Sequence, residues 1–190
     1  FSKEMISVFR HQSGNFFEDR AALSKIGRPS LMTLTFGLFL FDVELDGDLD
    51  LFTANGHVQI GIEHTQDGIY YREPSHLFLN DGDGQFFDIV PSIEGPLAKP
   101  IVGRGASYSD YDKNGTLDIL VTENNGSVHL FRNDNNKNNF LRVNVKSTNG
   151  NRNGLSTKLV GITKNKRMDR RVKTGSSFMS HSETTVTFGL

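Results

Sequence analysis

The sequence DVELDGDLD at residues 42–50 returns as DYDKNGTLD at residues 110–118, and these two copies decide the fold. In both copies, oxygen-bearing side chains stand at positions 1, 3, 5 and 9, with glycine at position 6 and leucine at position 8. Ca²⁺ prefers six to eight oxygen ligands at roughly 2.3–2.6 Å. Alternate residues of a tight loop can direct their oxygens to one point, and glycine permits the sharp turn. The pattern therefore predicts two calcium loops, 68 residues apart.

The two loops differ in how well their side chains suit a metal ion. Loop 1 (residues 42–50) has Glu44 at position 3, which is one methylene longer than the usual Asp or Asn. Loop 2 (residues 110–118) has the better set, and the alternative for each loop is a solvated acidic turn. The predicted ligands are Asp42, Glu44, Asp46, Asp48 (through its carbonyl) and Asp50 in loop 1, and Asp110, Asp112, Asn114, Thr116 (through its carbonyl) and Asp118 in loop 2.

Apolar and β-branched residues flank both loops, as in the strand-like segments 34–41 and 117–122. Such flanks favour strands over helices. Position 12 holds Thr53 in one copy and Val121 in the other, whereas an EF-hand needs a bidentate Glu there. The loops are thus expected to join β-strands.

A second pattern alternates with the loops. Residues 76–88 read as a hairpin of two apolar arms around a glycine-rich turn, and residues 7–19 and 128–134 are similar to it. A four-stranded unit of about 40–50 residues is the size of a propeller blade. The chain is therefore predicted to be all-β, with about two full four-stranded blades of a partial β-propeller and an edge hairpin, followed by a small β domain.

Charge divides the chain near residues 133–139. Residues 1–130 hold 9 Lys/Arg and 19 Asp/Glu, a formal net charge of −10, and residues 131–190 hold 12 Lys/Arg and 3 Asp/Glu, or +9. We expect propeller blades in residues 1–135 and a separate β domain in residues 139–190. The basic stretch 164–173 is either a solvated hairpin or a contact for polyanions, including the acidic blades themselves.

Composition excludes several classes of protein. The 190 residues include no cysteine, so disulfides and cysteine-ligated zinc are excluded. No apolar run approaches the roughly 20 residues of a membrane span. Nucleic-acid binding is disfavoured because few aromatic residues are interleaved with the basic ones. No nucleophile elbow or phosphate loop is present, so we expect no enzyme, although sequence alone does not exclude the paired carboxylates of a glycoside hydrolase.

The D-x-D-x-D/N-G-x-L-D loop, an apolar strand and the L-F-x-N-D-G-x-G-x-F segment at residues 77–86 resemble the FG-GAP or VCBS repeats of integrin-like β-propellers. Residues 139–143, 151–155 and 187–190 resemble the small ASPIC/UnbV domain, which follows such repeats in secreted bacterial proteins and in the cartilage acidic protein family. The resemblance implies calcium-stabilised blades in a secreted protein, extracellular or of the cell envelope, with a role in binding or adhesion. Two units and a hairpin cannot close a ring, so further blades or a partner chain are expected.

Three functions follow from this combination. The leading one is a non-catalytic scaffold that binds a protein or glycan ligand through surface loops, including an insertion at residues 57–75. One rival is a fragment of a polysaccharide-active propeller enzyme. The other is a structural subunit that completes a partner's propeller at an open sheet edge.

Overall fold

The computed structural model describes residues 3–135, 137–148 and 150–190, and β-strands dominate these residues, which confirms the all-β prediction. Helical structure in the described residues is limited to the four-residue α1 (Gly27–Ser30) and to short 3-10 helices at Ile62–His64, Val90–Ser92 and Pro96–Ala98. The strands are β1 (Phe9–His11), β2 (Phe17–Asp19), β3 (Thr35–Phe41), β4 (Asp50–Asn55), β5 (His76–Asn80), β6 (Phe86–Asp88), β7 (Gly103–Ser109), β8 (Asp118–Glu123), β9 (Val128–Phe131), β10 (Phe140–Val143), β11 (Lys158–Ile162), β12 (Arg167–Arg171) and β13 (Val186–Gly189).

The strands form small antiparallel sheets. One sheet has four strands in the order β3-β4-β5-β6, and the next has three in the order β7-β8-β9. The hairpin β1-β2 precedes them, and the pairs β10-β13 and β11-β12 follow. Each of the two larger sheets begins with a long strand, a loop of eight residues and a second strand that starts at the ninth residue of the repeated motif, as the sequence repeat predicts.

The first strands of these two sheets share one irregularity. The register of β3 on β4 shifts between Thr35 and Gly37, and that of β7 on β8 shifts between Gly103 and Ala106. A Cβ added to Gly37 would lie 2.6 Å from the Cβ of Ala106, so β3 and β7 pack very closely. The repeat therefore extends to the backbone irregularity of the strands, as well as to the loops.

One apolar core joins the two larger sheets. Its centre is Phe39, whose ring lies 5.0 Å from that of Phe41, 5.3 Å from that of Phe52 and 5.1 Å from that of Tyr108. A second cluster covers the opposite face of the first sheet, so all six residues of β4 are buried. The main cluster consists of Phe39, Phe41, Phe52, Ala54, Leu77, Val90, Ile101, Ala106, Leu117, Ile119 and Val121.

The second of these sheets has three strands among the described residues, where the repeat predicts four. Phe87 of β6 lies nine residues after Phe78, and Phe140 lies nine residues after the matching Phe131. Phe140 begins β10, which pairs with β13 instead of joining β9. The segment that could supply a fourth strand is therefore committed to the C-terminal sheet pair.

Residues 139–190 pack against the first part of the chain. In the described residues β10 pairs with β13 and β11 with β12, and the division of the chain into two domains stays a prediction. Met168, Val172 and Phe188 are buried, whereas Arg167 and Arg171 of β12 are exposed. This alternation gives the β11-β12 hairpin one face directed to the protein and one to solvent.

Among the residues that the structure describes, no helix has both the length and the apolar character required to cross a membrane.

Candidate metal centre

Loop 2 brings three carboxylates together at the turn between β7 and β8. Asp110, Asp112 and Asp118 each offer one oxygen, and these oxygens lie within 4.8 Å of one another. Asp118 is buried, Asp110 is half-buried and Asp112 is exposed. In the described residues this is the only group of three or more Asp, Glu or His side chains with that spacing. The spacing pattern predicted these three residues as ligands.

The backbone of loop 2 is fixed by hydrogen bonds to the first and last acids. Asp118 accepts from the backbone N–H of Tyr111 at 3.0 Å and from that of Asn133 at 2.8 Å. The Gly115 N–H donates to Asp110 Oδ2 at 3.1 Å. Gly115 has a φ of 95°, which glycine adopts without steric cost. These hydrogen bonds position the first and last acids of loop 2.

One oxygen of Asp110 has no hydrogen-bond partner among the described residues. Its Oδ2 lies 2.5 Å from Arg142 Nη1, but its Oδ1 is buried and accepts no hydrogen bond in the described residues. The side chain is only 4% exposed. A buried, unpaired oxygen costs about 1–3 kcal/mol, and more when it is charged. A hard cation would supply the missing partner, so the residues of loop 2 fit Ca²⁺.

Asn114 and Thr116 brace this loop. Asn114 Oδ1 accepts from the backbone N–H of Thr116 at 2.8 Å and from its hydroxyl at 2.5 Å. The amide of Asn114 donates to the carbonyl of Asn133 at 3.1 Å. These bonds connect the loop to the end of β9, and the role of both residues as calcium ligands stays a prediction.

Loop 1 has the same outline but a different centre. Asp42 is 1% exposed, and both of its oxygens accept hydrogen bonds. Oδ1 accepts from the N–H of Asp46 at 3.1 Å, and Oδ2 accepts from those of Gly47 at 2.9 Å and Gly189 at 3.0 Å. Asp50 likewise accepts from the N–H groups of Val43 and Asn80, each at 2.9 Å.

Burial disfavours ionisation of the loop 1 acids. It raises the pKa of Asp50 to about 7, against the lowering effect of two backbone hydrogen bonds. Burial also raises the pKa of Asp42, and the nearby carboxylate of Asp46 acts in the same direction. Burial and the neighbouring acids raise the pKa of Glu44 as well. Negative charge on the buried carboxyl groups of loop 1 is therefore energetically unfavourable.

The basic C-terminal hairpin supplies cations to loop 1. Lys166 Nζ lies 2.5 Å from Asp48 Oδ2 and 2.9 Å from the carbonyl oxygen of Asp46. Arg170 Nη2 donates to the carbonyl of Gly47 at 2.9 Å. The stretch 164–173 therefore contacts the acidic first part of the chain, one of the polyanions that the charge division suggested.

Several residues that contact the two loops were not predicted from the sequence. Asn80 and Asn133 play the same part, because each donates its backbone N–H to the last acid of a loop. Their shared Phe-x-Asn-Asp context was a signal that could have identified them. Arg142 and Lys166 had no local signal, because they lie in another unit of the chain.

The insertion 57–75 is anchored near its two ends and exposes several large apolar side chains. Arg104 donates to the carbonyls of Gly56 at 2.8 Å and His57 at 3.0 Å. Glu73 is 2% exposed, and its Oε2 accepts from the Leu34 N–H at 2.7 Å. The large apolar side chains that the insertion exposes are Val58, Ile60 and Tyr70.

Comparison with protein families and with curated proteins identifies no relative of this chain. No protein-family description matches the chain, and no curated protein resembles it significantly. The resemblance to FG-GAP repeats and to the ASPIC/UnbV domain accordingly stays a prediction from the sequence.

Proposed function

We propose that this chain is a calcium-stabilised, non-catalytic scaffold of extracellular binding or adhesion. The observation that carries the proposal is the open oxygen of Asp110 within the three-carboxylate group of loop 2. Asp112 and Asp118 complete that group, and Arg142 offsets only part of its negative charge. A divalent cation relieves the repulsion and pairs the unpartnered oxygen at the same time.

Calcium in loop 2 would act on the fold rather than on a substrate. Asp118 begins β8 and is hydrogen-bonded to Asn133 beyond β9, while Asp110 follows β7 and contacts Arg142 of β10. An ion shared by these acids therefore links three strands of one sheet to the C-terminal unit. Because the ion binds the folded chain, its binding free energy adds to the free energy of unfolding.

The site of ligand binding is proposed on the insertion 57–75. Its ends are held by polar contacts, and the insertion presents Val58, Ile60 and Tyr70, which are 64%, 79% and 61% exposed. Binding residues often lie on loops positioned by a rigid scaffold. The extracellular location rests on the family resemblance, and calcium sites of extracellular modules typically bind at about 10⁻⁴–10⁻³ M.

Calorimetric titration with Ca²⁺ tests the metal centre. Wild type should bind with a dissociation constant of about 10⁻⁴–10⁻³ M, and Asp110→Ala should lose that binding. Asp83→Ala is the matched control, because Asp83 is an exposed acid in the β5-β6 turn and lies outside the three-carboxylate group. Equal titration curves for wild type and Asp110→Ala would contradict the proposal.

A structural subunit is the second candidate, and the open edge of β9 favours it. In the described part of the chain β9 pairs with β8 alone, whereas the matching β5 pairs on both sides. The first hairpin also exposes Phe9, Phe16 and Phe17 by 62%, 77% and 65%. Sedimentation analysis over a range of concentrations tests completion by a second copy of this chain, because a monomer at all concentrations would make self-completion of the sheets untenable.

A further inference from the structure

Loop 1 already contains a cation that belongs to the chain. The ammonium of Lys166 lies 2.5 Å from the side-chain oxygen of Asp48 at loop position 7 and 2.9 Å from the carbonyl oxygen of Asp46 at position 5. We propose that Lys166 takes the place of a divalent ion in loop 1, so that the chain binds one Ca²⁺, at loop 2. This inference rests on the proposed calcium binding at loop 2.

The two first-position acids show why the loops are not equivalent. Asp42 and Asp110 each accept a hydrogen bond on Oδ2 from the glycine at position 6, at 2.9 Å and 3.1 Å. Asp42 also accepts on Oδ1 from the N–H of Asp46, whereas Oδ1 of Asp110 has no partner in the described residues. Only loop 2 therefore keeps an open oxygen for an incoming ion at this position.

The residue at position 3 explains the difference. In loop 2 the N–H of Asn114 donates to Oδ1 of Asp112 at 3.2 Å, a bond from the second residue after an Asp. Asp and Asn side chains favour this short turn. Glu44 is longer, and the equivalent N–H of Asp46 donates to Asp42 instead. With the longer Glu44 at position 3, the N–H of Asp46 therefore pairs with Oδ1 of Asp42, whereas Oδ1 of Asp110 has no such partner in the described residues.

The position of Lys166 is set by the rest of its hairpin. Met168 is 2% exposed and anchors β12, and Arg170 donates to the carbonyl of Gly47 at 2.9 Å. On the neighbouring strand β13, the N–H of Gly189 donates to Asp42 at 3.0 Å. Lys166 is therefore positioned by the β11-β12 hairpin, which packs on the protein and contacts loop 1 through Lys166 and Arg170. The ammonium contacts the carbonyl of Asp46 and the carboxylate of Asp48, two residues that the calcium pattern uses through their other oxygens, so its charge repels a divalent ion that approaches loop 1.

Four proteins test this assignment by calcium stoichiometry. Wild type and Glu44→Asp should each bind one Ca²⁺, because Lys166 is present in both. The double variant Glu44→Asp with Lys166→Met should bind two, because the ammonium is removed while a long apolar side chain is kept. Glu44→Asp with Lys166→Arg should return to one, since a cation is restored on a similar stem. The equivalent bound at loop 2 reports in every case that the protein is folded.

A matched control separates this lysine from its neighbours. Lys164 is an exposed residue of the same turn, so Glu44→Asp with Lys164→Met should still bind one Ca²⁺. Two equivalents in wild type or in Glu44→Asp, or one equivalent in the Lys166→Met double variant, would overturn the inference while calcium binding at loop 2 stands. No binding by wild type would contradict the proposed function itself, and this inference with it.

Discussion

At the scale of single residues, buried carboxyl groups set the chemistry of this protein. In the described residues, Oδ1 of Asp110 accepts no hydrogen bond. At the same position of the repeat, both carboxylate oxygens of Asp42 accept hydrogen bonds. Glu73 is a third case, because it lies outside both loops yet is 2% exposed and anchors the insertion through Leu34. Its Oε1 has no hydrogen-bond partner in the described residues. Burial therefore makes its ionised form costly.

The Glu73 carboxyl gives the fold a pH dependence of predictable sign. Burial raises its pKa from the usual 4.5 to about 7, although the Leu34 N–H and Arg104 act in the opposite direction. The folded chain keeps this proton as pH rises past 4.5, whereas the unfolded chain releases it. Stability should therefore fall between about pH 4.5 and 7, by roughly 3 kcal/mol at about 1.4 kcal/mol per pH unit.

Glu73→Gln removes this titration, and urea unfolding at pH 4.5, 6 and 7.5 measures the effect. The free energy of unfolding of the variant should vary less with pH than that of wild type, while Asp50 titrates in both proteins. Glu94→Gln is the control, because Glu94 is exposed. Parallel pH profiles for wild type and Glu73→Gln would show that this residue does not carry the dependence.

Individual site residues were predictable only where their partners are near in sequence. Asp110, Asp112 and Asp118 fall within nine residues, so their spacing alone predicted that they converge. The same spacing in loop 1 gave the same prediction, but the structure supplies Lys166 from a distant hairpin. Local spacing contains no information about a cation that arrives from another part of the fold.

At the scale of elements, the repeated strand-loop-strand units could be predicted from the sequence because both units pack in the same way. The strands β3 and β7 share a register shift at matching positions, and the loops share positive φ at positions 4 and 6, with Leu45 at 59° and Lys113 at 62°. The pairing partner of β10 could not be predicted from the sequence. Its sequence suits a fourth strand of the second sheet, and pairing with β13 decides otherwise. Competition between two possible partners is settled by tertiary packing.

Substituting Gly37 tests the close packing of β3 on β7. In Gly37→Ala the new Cβ would lie 2.6 Å from the Cβ of Ala106 and 2.8 Å from the carbonyl oxygen of Arg104. Overpacking of this kind should lower the free energy of unfolding by about 1–3 kcal/mol in urea denaturation. Adding Ala106→Gly removes the shortest of these contacts and should restore part of the loss. Wild-type stability in Gly37→Ala would mean that the two strands are not held this closely.

At the scale of the whole molecule, opposite charges meet where the two parts of the chain contact each other. The acidic first part meets the basic C-terminal unit through Lys166 on Asp48 and Arg142 on Asp110. The charge division suggested such a contact as one of two alternatives, and the domain boundary near residues 133–139 stays a prediction. That these sheets are blades of a partial propeller stays a prediction.

Salt should loosen the contact of the β11-β12 hairpin with loop 1. The Lys166 and Asp48 side chains are 33% and 20% exposed, so their pairing is partly screened by ions. Raising NaCl from 0.05 M to 0.5 M should speed amide hydrogen exchange in β11 and β12 by about two- to fivefold, as expected for a pair worth about 1 kcal/mol or less. Exchange in the buried strand β4 should not change and serves as the internal control. Equal rates in the hairpin at both salt concentrations would mean that charge does not hold it.

Thermal unfolding of wild type and Asp110→Ala, with and without calcium, tests the central claim most directly. Calcium at about 100 times its dissociation constant should add about 2.7 kcal/mol to the stability of wild type. At about 2–4 °C per kcal/mol for a chain of this length, Tm should rise by roughly 5–11 °C in wild type and stay constant in Asp110→Ala. A wild-type Tm that calcium leaves unchanged, or an equal rise in Asp110→Ala, would contradict the assignment of loop 2 as a metal centre.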